Sequence, residues 1–447
     1  MKRREFLKAG AVGTFVSVAG RTLSSYASEN ASPNMVHEPA VDVPVVEKND
    51  VVVCGGGPAG IAAGRKGANV RLIELQGSLG GVWTAAMVNL ILDRTDKEGL
   101  VKEIMANLAK TDAQIKPDYF DVEAMKFVLE NMCREANVKP LYHSRVVGAV
   151  KDGRRLTHVI VENKSGRQAF AADAFIDTTG DGDLAARAGC SFDFGHPVTG
   201  KTQPMSMIGL LGGIHYKSLN KRKFVRGGKV SSGVSKAAFL EELQRAGVSP
   251  SYQKPTLFCI RDDHFAMMAN HQYGASGIDA QQVTDATIAA RAEVHKIVNA
   301  LRKLGGIWKD IQLLDTSSHI GVREARRIHG RYTLTKKDLV RGARFKDAVC
   351  HARFAVDVHA LDPDHAGGGF SNEGVKVMPY DIPLRSLIAR DVDGLLMAGR
   401  CISGDFIAHA SYRVTGNAVP MGEAVGKVAA MAARTDRLPH QVDWREV

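Results

Sequence analysis

The sequence lacks several features that would have set its class. No stretch of the 447 residues is uninterruptedly apolar for long enough to cross a membrane, so no integral membrane segment is expected in the mature chain. No internal repeat is visible. The cysteines include no C-x-x-C pair, so neither a zinc site nor a thioredoxin-like motif is indicated. A disulfide is compatible with an oxidising compartment, but no pairing follows from the positions Cys54, Cys133, Cys190, Cys259, Cys350 and Cys401.

The composition that remains is that of an ordinary globular protein, with 45% hydrophobic and 24% charged residues. The length suggests two or three domains. Alternating and helical apolar patterns predict a β/α order. The predicted strands cover 51–54, 70–74, 146–150, 157–162, 168–172, 173–177 and 394–398. The predicted helices cover 58–66, 100–109, 122–136, 235–246, 280–304 and 422–433.

The first residues resemble a bacterial twin-arginine export signal. Arg3 and Arg4 precede an apolar run over 9–20, and Ser25 and Ala27 suit a small-residue cleavage site. We therefore predict a signal over 1–27, a polar linker over 28–48, and export of the folded protein to the periplasm. A basic amphipathic N-terminal helix is the alternative.

Positive charge is in excess. Removal of the signal, with five basic residues and one acidic residue, would lower the formal net charge from +11 to +7. A run over 217–229 holds six basic residues and no acid, and a second basic stretch covers 323–344. Such runs indicate either a solvated face or an acidic partner or substrate. An export signal argues against nucleic acid.

A glycine motif follows the first predicted strand directly and opens a helix. Gly55, Gly57 and Gly60 satisfy G-x-G-x-x-G, and Glu74 ends the next strand. In this pattern the three glycines allow a tight turn, close approach of the backbone to a pyrophosphate, and packing of the helix on the strand. The phosphate would lie at the helix N-terminus. Glu74 would accept hydrogen bonds from a ribose, and its charge disfavours NADP.

The helix between Gly60 and Glu74 is unusually short. Gly55 and Glu74 are 19 positions apart, where such units usually span a little over about twenty. About one helical turn is missing, at the end away from the phosphate. We expect weaker helix packing with the site retained. The alternative is a degenerate domain that no longer binds a dinucleotide.

Further motifs lie between Val51 and Ala433. They are "GGGPAGIAA", "GSLGGVWTA", "IDTTGDGDLA", "GVREARRIHGRYTLT", "VDVH", "YDIPLRSL" and "AGRCIS…AHASYRV…GEAVG". In these segments the chain resembles bacterial FAD-dependent oxidoreductases, related in fold to the fumarate reductase and succinate dehydrogenase flavoproteins.

The resemblance implies an α/β fold, in which a Rossmann-like FAD-binding domain (a parallel sheet plus a β-meander) is interrupted by an α+β substrate domain. We place the FAD-binding domain at 49–199 and 316–436, the inserted domain at 200–315, and a tail at 437–447. FAD is expected to bind without a covalent link. The implied FAD-binding residues are Gly55, Gly57, Pro58, Ala59, Gly60, Glu74, Gly80, Gly81, Thr179, Gly180, Asp181, Gly399 and Arg400.

Flavin chemistry also needs a base for the departing proton and a cation for developing negative charge. The candidates are His359, His409, Arg323 and Arg413. Structural hydrogen bonds for the histidines and buried ion pairs for the arginines are the alternatives. No metal is expected. Asp357, His359, Asp362, Asp364 and His365 form a histidine- and aspartate-rich stretch that we interpret as a solvated loop.

The predicted function is FAD-dependent hydride transfer with a small organic substrate, acidic or sugar-derived, and an electron acceptor that the sequence does not identify. Two alternatives stay open at this point. One is a non-catalytic binding protein with a degenerate FAD fold. The other is carbon–carbon double-bond reduction of the fumarate reductase kind, which requires an acidic substrate held by arginines.

Overall fold

The computed structural model describes residues 35–63, 68–111 and 119–447. The predicted export signal and the first part of the predicted linker lie outside the described residues. Residues 35–42 are exposed and have no regular secondary structure. Residues 43–447 form a separate compact unit, which holds every element below.

Its strands are β1 Val45–Cys54, β2 Val70–Ile73, β3 Lys139–Leu141, β4 Arg145–Asp152, β5 Arg155–Asn163, β6 Gly166–Asp177, β7 Phe192–Phe194, β8 Ile208–Gly212, β9 Thr256–Arg261, β10 His264–Met268, β11 Gln312–Thr316, β12 Arg326–Ile328, β13 Ala348–Ala352, β14 Val358–His359, β15 Phe370–Ser371, β16 Tyr380–Pro383 and β17 Leu395–Met397. Its helices are α1 Pro58–Ala63, α2 Leu100–Lys110, α3 Val122–Glu135, α4 Asp183–Arg187, α5 Tyr216–Lys221, α6 Ser232–Arg245, α7 Ala280–Leu304, α8 Lys336–Arg341, α9 Phe406–Tyr412 and α10 Thr415–Arg434.

The largest sheet has the order β3-β2-β1-β6-β5-β4, with β17 also paired to β6. Strands β3, β2, β1, β6 and β17 are parallel, whereas β6, β5 and β4 form an antiparallel meander. The buried run at the end of β1, "VVVC", is typical of a parallel strand that is covered on both faces. The predicted Rossmann-like α/β fold with a parallel sheet and a meander is confirmed.

Several element boundaries differ from the predicted ones. β1 begins at Val45, six residues early, and overlaps the end of the predicted linker, because backbone pairing with β6 holds its exposed first half. The predicted strands 168–172 and 173–177 are one strand, since β6 passes from the meander into the parallel sheet without a break. α10 begins at Thr415 rather than 422, although it contains Pro420. The helix predicted at 280–304 is confirmed.

The short first helix, α1, is entirely buried. It packs against α10 through glycines: a Cβ on Gly422 would lie 2.1 Å from the carbonyl oxygen of Ala59, and a Cβ on Gly426 would lie 2.3 Å from that of Ala63. The two backbones are therefore in direct contact. The remainder of the helix predicted at 58–66 falls on residues outside the described ranges.

A second sheet has the order β11-β8-β10-β9 and is antiparallel throughout. Its strands lie between Ile208 and Thr316, where the sequence predicts the inserted domain. Leu211, Phe265 and Leu257 on one face form a core with residues of α6 and α7. On the other face, side chains including Ile208 and Phe258 meet Leu90. This second face covers the pocket described below.

Among the helices of the described ranges, none combines the length and the apolar character that a membrane span requires. All six cysteines fall within the described ranges and are buried thiols.

Candidate active site

The glycine motif forms a tight turn between β1 and α1. Gly55 has a φ of 108°, which an L side chain rarely adopts, and its N–H donates to Ile73 O at 2.7 Å. A Cβ on Gly60 would lie 1.8 Å from Gly55 O, so only glycine allows the helix to begin this close to the turn. Around Gly57, by contrast, a Cβ would meet nothing within 4 Å. This open space at the helix N-terminus can receive a pyrophosphate.

Glu74 follows β2 directly and is buried. One carboxylate oxygen accepts the N–H of Gly56, and the other accepts the N–H of Gln76 at 2.6 Å. Burial raises the pKa of Glu74, and the backbone hydrogen bonds oppose that rise. Two ionised oxygens offer about four acceptor positions. Glu74 can therefore accept ribose hydroxyls while it also holds the glycine turn, a second role that its sequence position did not reveal.

The segment after β6 forms the next wall. The carboxylate of Asp177 accepts from the hydroxyl of Thr179 at 2.7 Å and from the N–H of Ala185 at 2.8 Å, which fixes the turn. Burial raises the pKa of Asp177 to about 6. Beyond the turn, Asp181 pairs with Arg400 at 2.9 Å. Nη1 of Arg400 is buried and has no hydrogen-bond partner among the described residues.

These segments border one cleft. Of the predicted FAD-binding residues, Gly60 and Gly80 do not line it: Gly60 packs on Gly55, and the N–H of Gly80 donates to Gly56 O at 2.8 Å. The predicted residues that line it are Gly55, Gly57, Pro58, Ala59, Glu74, Gly81, Thr179, Gly180, Asp181, Gly399 and Arg400. Lining residues outside the sequence motifs include Gln76, Ser144, Arg145 and His319, and Asp183 lies within a motif but was not among the predicted residues.

The cleft fits FAD. It combines the open space at Gly57, an acid at the expected ribose position and an arginine nitrogen without a hydrogen-bond partner among the described residues.

A second pocket adjoins the cleft, and both are lined by Val82, Arg400, Arg413 and Thr415. Its other lining residues are Val88, Leu90, Leu92, Ser206, Ile208, Arg226, Lys236, Tyr252, Phe258, Met268, Gly321, Val322, Arg323, Phe354, Asp357, His359, Phe370 and Val414. Three of the four predicted catalytic residues, His359, Arg323 and Arg413, are thus brought together here.

Arg323 lies in this pocket, and no carboxylate of the described residues is within ion-pair distance of it. Its guanidinium donates to Pro204 O at 2.6 Å and to the hydroxyl of Ser206 at 2.8 Å, and forms no ion pair with a residue that the structure describes. Burial and neighbouring Arg413 lower the pKa of Arg323 to about 10. A buried charge without a counterion is costly, so this position favours an anionic ligand.

His359 lies against Asp357, with Nε2 3.4 Å from the carboxylate oxygen Oδ2. The same oxygen lies 3.4 Å from Nη2 of Arg413, which also donates to Asp357 O at 2.9 Å. The backbone N–H of His359 donates to Oε1 of Gln203 at 3.1 Å. Burial and the Arg323 cation lower the pKa of His359 to about 4. The imidazole is therefore neutral at neutral pH and able to accept a proton.

His409, the fourth predicted catalytic residue, lies elsewhere. It is buried in α9 with its ring edge-on to Tyr412, and it lines neither the cleft nor the pocket. Neither ring nitrogen has a hydrogen-bond partner among the described residues. Burial lowers its pKa well below the usual value, so it is neutral.

Sequence reasoning missed two cations of the pocket. Arg226 lies 5.7 Å from the ring centroid of Phe258, and Lys236 lies 4.6 Å from that of Phe370. Burial and the nearby Arg226 lower the pKa of Lys236 to about 8. Arg226 belongs to the basic run 217–229, whose other basic residues are exposed. The basic run 217–229 was the feature of the sequence that could have pointed to Arg226.

The histidine and aspartate side chains of residues 357–365 do not come together as a metal site. His365 lies 3.3 Å from Glu373, whereas His359 faces the pocket. Within the ranges that the structure describes, no group of three or more histidine, cysteine, aspartate or glutamate side chains could hold a metal ion.

One comparison with known proteins identifies a family. Residues 50–447 match a protein family described as FAD dependent oxidoreductase. No curated protein matches the sequence. Among solved structures, a geranylgeranyl bacteriochlorophyll reductase-like protein from Thermoplasma acidophilum is 12% identical, over 87% of this chain and 80% of that chain, with a TM-score of 0.43.

Two further solved structures are similarly distant. The p-nitrophenol 4-monooxygenase PnpA from Pseudomonas putida is 11% identical, over 87% of this chain and 81% of that one, with a TM-score of 0.43. A myxobacterial chondrochloren halogenase is 10% identical, over 90% and 77%, with a TM-score of 0.46. Similarity at this level carries no argument about substrate.

Proposed function

Because the chain belongs to the family of FAD-dependent oxidoreductases, we propose that it oxidises a small hydroxylated organic acid, such as a sugar acid, with non-covalently bound FAD. Oxidoreductase activity and FAD as cofactor follow from the family. The substrate class, the hydride transfer and the non-covalent binding are the proposal.

One observation carries the choice of an acid: the buried guanidinium of Arg323 forms no ion pair with a described carboxylate, in a pocket that adjoins the proposed FAD cleft. An anionic group of a substrate would supply the missing counterion. Arg226 and Lys236 line the same pocket and add to its positive charge. Asp357, the acidic residue among the described lining residues, is already engaged by Arg413.

His359 supports oxidation. Removal of two electrons from a secondary alcohol releases a hydride from the carbon and a proton from the hydroxyl, and leaves a carbonyl group. FAD, when bound, supplies the hydride acceptor. Nε2 of His359 takes the proton, and the carboxylate of Asp357 then faces the resulting cation at 3.4 Å. Because His359 is neutral at neutral pH, it supports proton acceptance better than the proton donation that double-bond reduction requires.

The apolar side chains of the pocket serve the same chemistry. Ile208 and Phe258 from the second sheet, together with Val322 and Phe354, surround the charged groups. Exclusion of water strengthens each electrostatic interaction with the substrate. The second sheet thereby acts as a cover for the reaction.

The degenerate alternative is less well supported. The turn of a helix that the sequence lacks lies away from the glycine motif, and the described part of α1 is buried and held by α10. Family membership favours an active oxidoreductase.

We also propose that the protein is exported to the periplasm by its twin-arginine signal. The basis is the order of Arg3-Arg4, apolar run and small-residue site in the sequence. Loading of FAD before export gives a reason to use a route that carries folded proteins.

The test is anaerobic reduction of the purified yellow holoenzyme by 2-hydroxy acids and sugar acids, each paired with its uncharged alcohol. Acids should bleach the flavin absorbance and the alcohols should not. Arg323→Gln should weaken the apparent affinity for the acid by roughly 10- to 150-fold, the value of a hydrogen bond to a charged group. Exposed Arg222 provides the matched control, Arg222→Gln, which should behave as wild type. Equal reduction by neutral alcohols would overturn the proposed substrate class.

A further inference from the structure

A series of hydrogen bonds, which we call the relay, connects Ser251, Tyr273 and His271 to Nδ1 of His359. Nδ1 of His359 lies 2.9 Å from Nε2 of His271, in a buried contact. Nδ1 of His271 lies 3.2 Å from the hydroxyl of Tyr273, which in turn lies 2.9 Å from Ser251 O. Neither His271 nor Tyr273 lines the substrate pocket. The hydrogen bonds connect both residues to the pocket through His359.

The donor and acceptor at each step of the relay follow from its end at Ser251. A carbonyl oxygen has no proton, so the hydroxyl of Tyr273 must donate to Ser251 O. The oxygen of Tyr273 then accepts, and Nδ1 of His271 is the donor. A neutral imidazole carries one N–H, so Nε2 of His271 is an acceptor. His359 must therefore donate from Nδ1, and its Nε2 carries a lone pair.

Burial keeps both rings in the one-proton form that this reasoning requires. Burial and Arg323 lower the pKa of His271 far below its usual value, and the same two causes lower that of His359 to about 4. The ring of Tyr252 packs against that of His271, with centroids 4.2 Å apart and an interplanar angle of 35°, and restricts its orientation. The peptide N–H of His271 donates to the hydroxyl of Ser251 at 2.9 Å, which holds the backbone of His271 next to Ser251.

From this geometry we infer that His271 and Tyr273 are positioning residues, which hold His359 as the Nδ1–H tautomer and leave Nε2 free to accept the proton of the substrate. The inference rests on the proposed function of His359. In the opposite tautomer, Nε2–H would donate to Asp357 at 3.4 Å and no lone pair would remain for the substrate. With the relay in place, Asp357 bonds to Nε2 only after the proton has arrived.

The test reads the tautomer directly, in the oxidised holoenzyme without substrate. Two-bond proton–nitrogen NMR correlations on protein with isotope-labelled histidine distinguish a protonated from an unprotonated ring nitrogen. His359→Gln identifies the signal. We expect His359 to be protonated at Nδ1 and unprotonated at Nε2. A wild-type spectrum with the proton on Nε2 would overturn the inference without recourse to any variant.

Tyr273→Phe removes the oxygen that accepts from His271 and keeps the ring. His359 should then populate both tautomers, and flavin reduction by substrate should slow about 2- to 12-fold, the range expected from one hydrogen bond of ~0.5–1.5 kcal/mol. Tyr252→Phe is the control: it retains the stacked ring next to His271 and should leave the tautomer unchanged. An unchanged tautomer in Tyr273→Phe would also contradict the relay.

The two levels of the proposal fail separately. If the NMR result is as expected but no hydroxy acid reduces the flavin, the substrate class is wrong and the relay stands. If hydroxy acids reduce the flavin but His359 carries its proton on Nε2, the relay is wrong and the proposed function stands.

Discussion

Among single residues, burial and neighbouring charges decide which side chains hold a proton. His359 faces Asp357, Arg323, Arg413, His271 and Tyr252. Burial and the arginines favour its neutral form, and Asp357 favours its charged form. The balance keeps the ring neutral at neutral pH but leaves a counterion 3.4 Å away. In this environment the neutral ring can accept a proton, and Asp357 then stabilises the resulting imidazolium.

We therefore predict that the rate of flavin reduction by substrate is independent of pH near neutrality and falls on acidification through about pH 4, the pKa of His359. The sign follows because only the neutral ring accepts a proton. Stopped-flow reduction across pH gives the profile. His359→Ala should lower the rate by about 10²–10⁴-fold, the usual contribution of general acid–base catalysis, with FAD retained. A wild-type rate in this variant would remove His359 from the mechanism.

Glu74 gives a second prediction at this scale. Glu74→Ala removes the acceptor for the N–H groups of Gly56 and Gln76, as well as the expected ribose contact. FAD affinity should fall by roughly 10- to 150-fold, from about 1.5–3 kcal/mol. Titration of the deflavo-protein by fluorescence measures it. Glu74→Gln keeps an acceptor oxygen for one of the backbone contacts and should be intermediate. An unchanged affinity in Glu74→Ala would place the ribose elsewhere.

Between secondary-structure elements, two kinds of glycine have different purposes. Gly57 leaves space at the N-terminus of α1, where no protein atom lies within 4 Å of a Cβ position. Gly422 on α10 has no such space, because its Cβ would lie 2.1 Å from Ala59 O. The first glycine leaves room for a ligand, and the second allows two helices to touch. Replacing each of these glycines by alanine tests the two functions separately.

Gly57→Ala should leave the thermal unfolding of the apoprotein within about 0.5 kcal/mol of wild type and should weaken FAD binding, because the methyl group occupies the pyrophosphate position. Gly422→Ala should destabilise the apoprotein by about 1–3 kcal/mol through overpacking against α1. Thermal unfolding of both apoproteins, followed by FAD titration, tests the pair. Full FAD affinity in Gly57→Ala would show that the phosphate does not approach this turn.

At the scale of the whole molecule, the chain builds its pocket from distant parts. The Rossmann-like sheet supplies the FAD cleft, the segment after β12 supplies His359 and Arg413, and the second sheet supplies the cover. Arg226, which lies between α5 and α6, lines the same pocket, so the proposed selection of an acidic substrate and the proposed exclusion of water depend on the same part of the chain. The proposed export signal lies outside the described residues and would act on the folded protein during export.

The export proposal predicts that replacement of Arg3 and Arg4 by lysine retains the protein in the cytoplasm with the signal uncut, because the receptor reads arginine and the substitution keeps the charge. Cell fractionation and the mass of the N-terminus measure the outcome. Lys2→Arg, which changes a basic residue but leaves the pair intact, should be exported as wild type. Normal export of the double variant would show that the signal is of another kind.

The sequence alone determined the features whose physics is local. The turn of Gly55–Gly60, the acid at Glu74, the parallel strands and the helix Ala280–Leu304 each depend on residues within a short window, where periodicity and backbone freedom act directly. The family motifs also led to FAD. Boundaries were less accurate where pairing with a distant strand, as for Val45 in β1, overrides local composition.

Only the tertiary structure decided which side chains meet. It placed His359, Arg323 and Arg413 in one pocket and His409 outside it, although all four lie in motif segments. It revealed that Arg226 is the residue of its basic run that faces the pocket, and that His271 contacts His359 across 88 positions of sequence. The charge state of a histidine depends on burial and on neighbours that the fold brings from far along the chain. No local pattern encodes those neighbours.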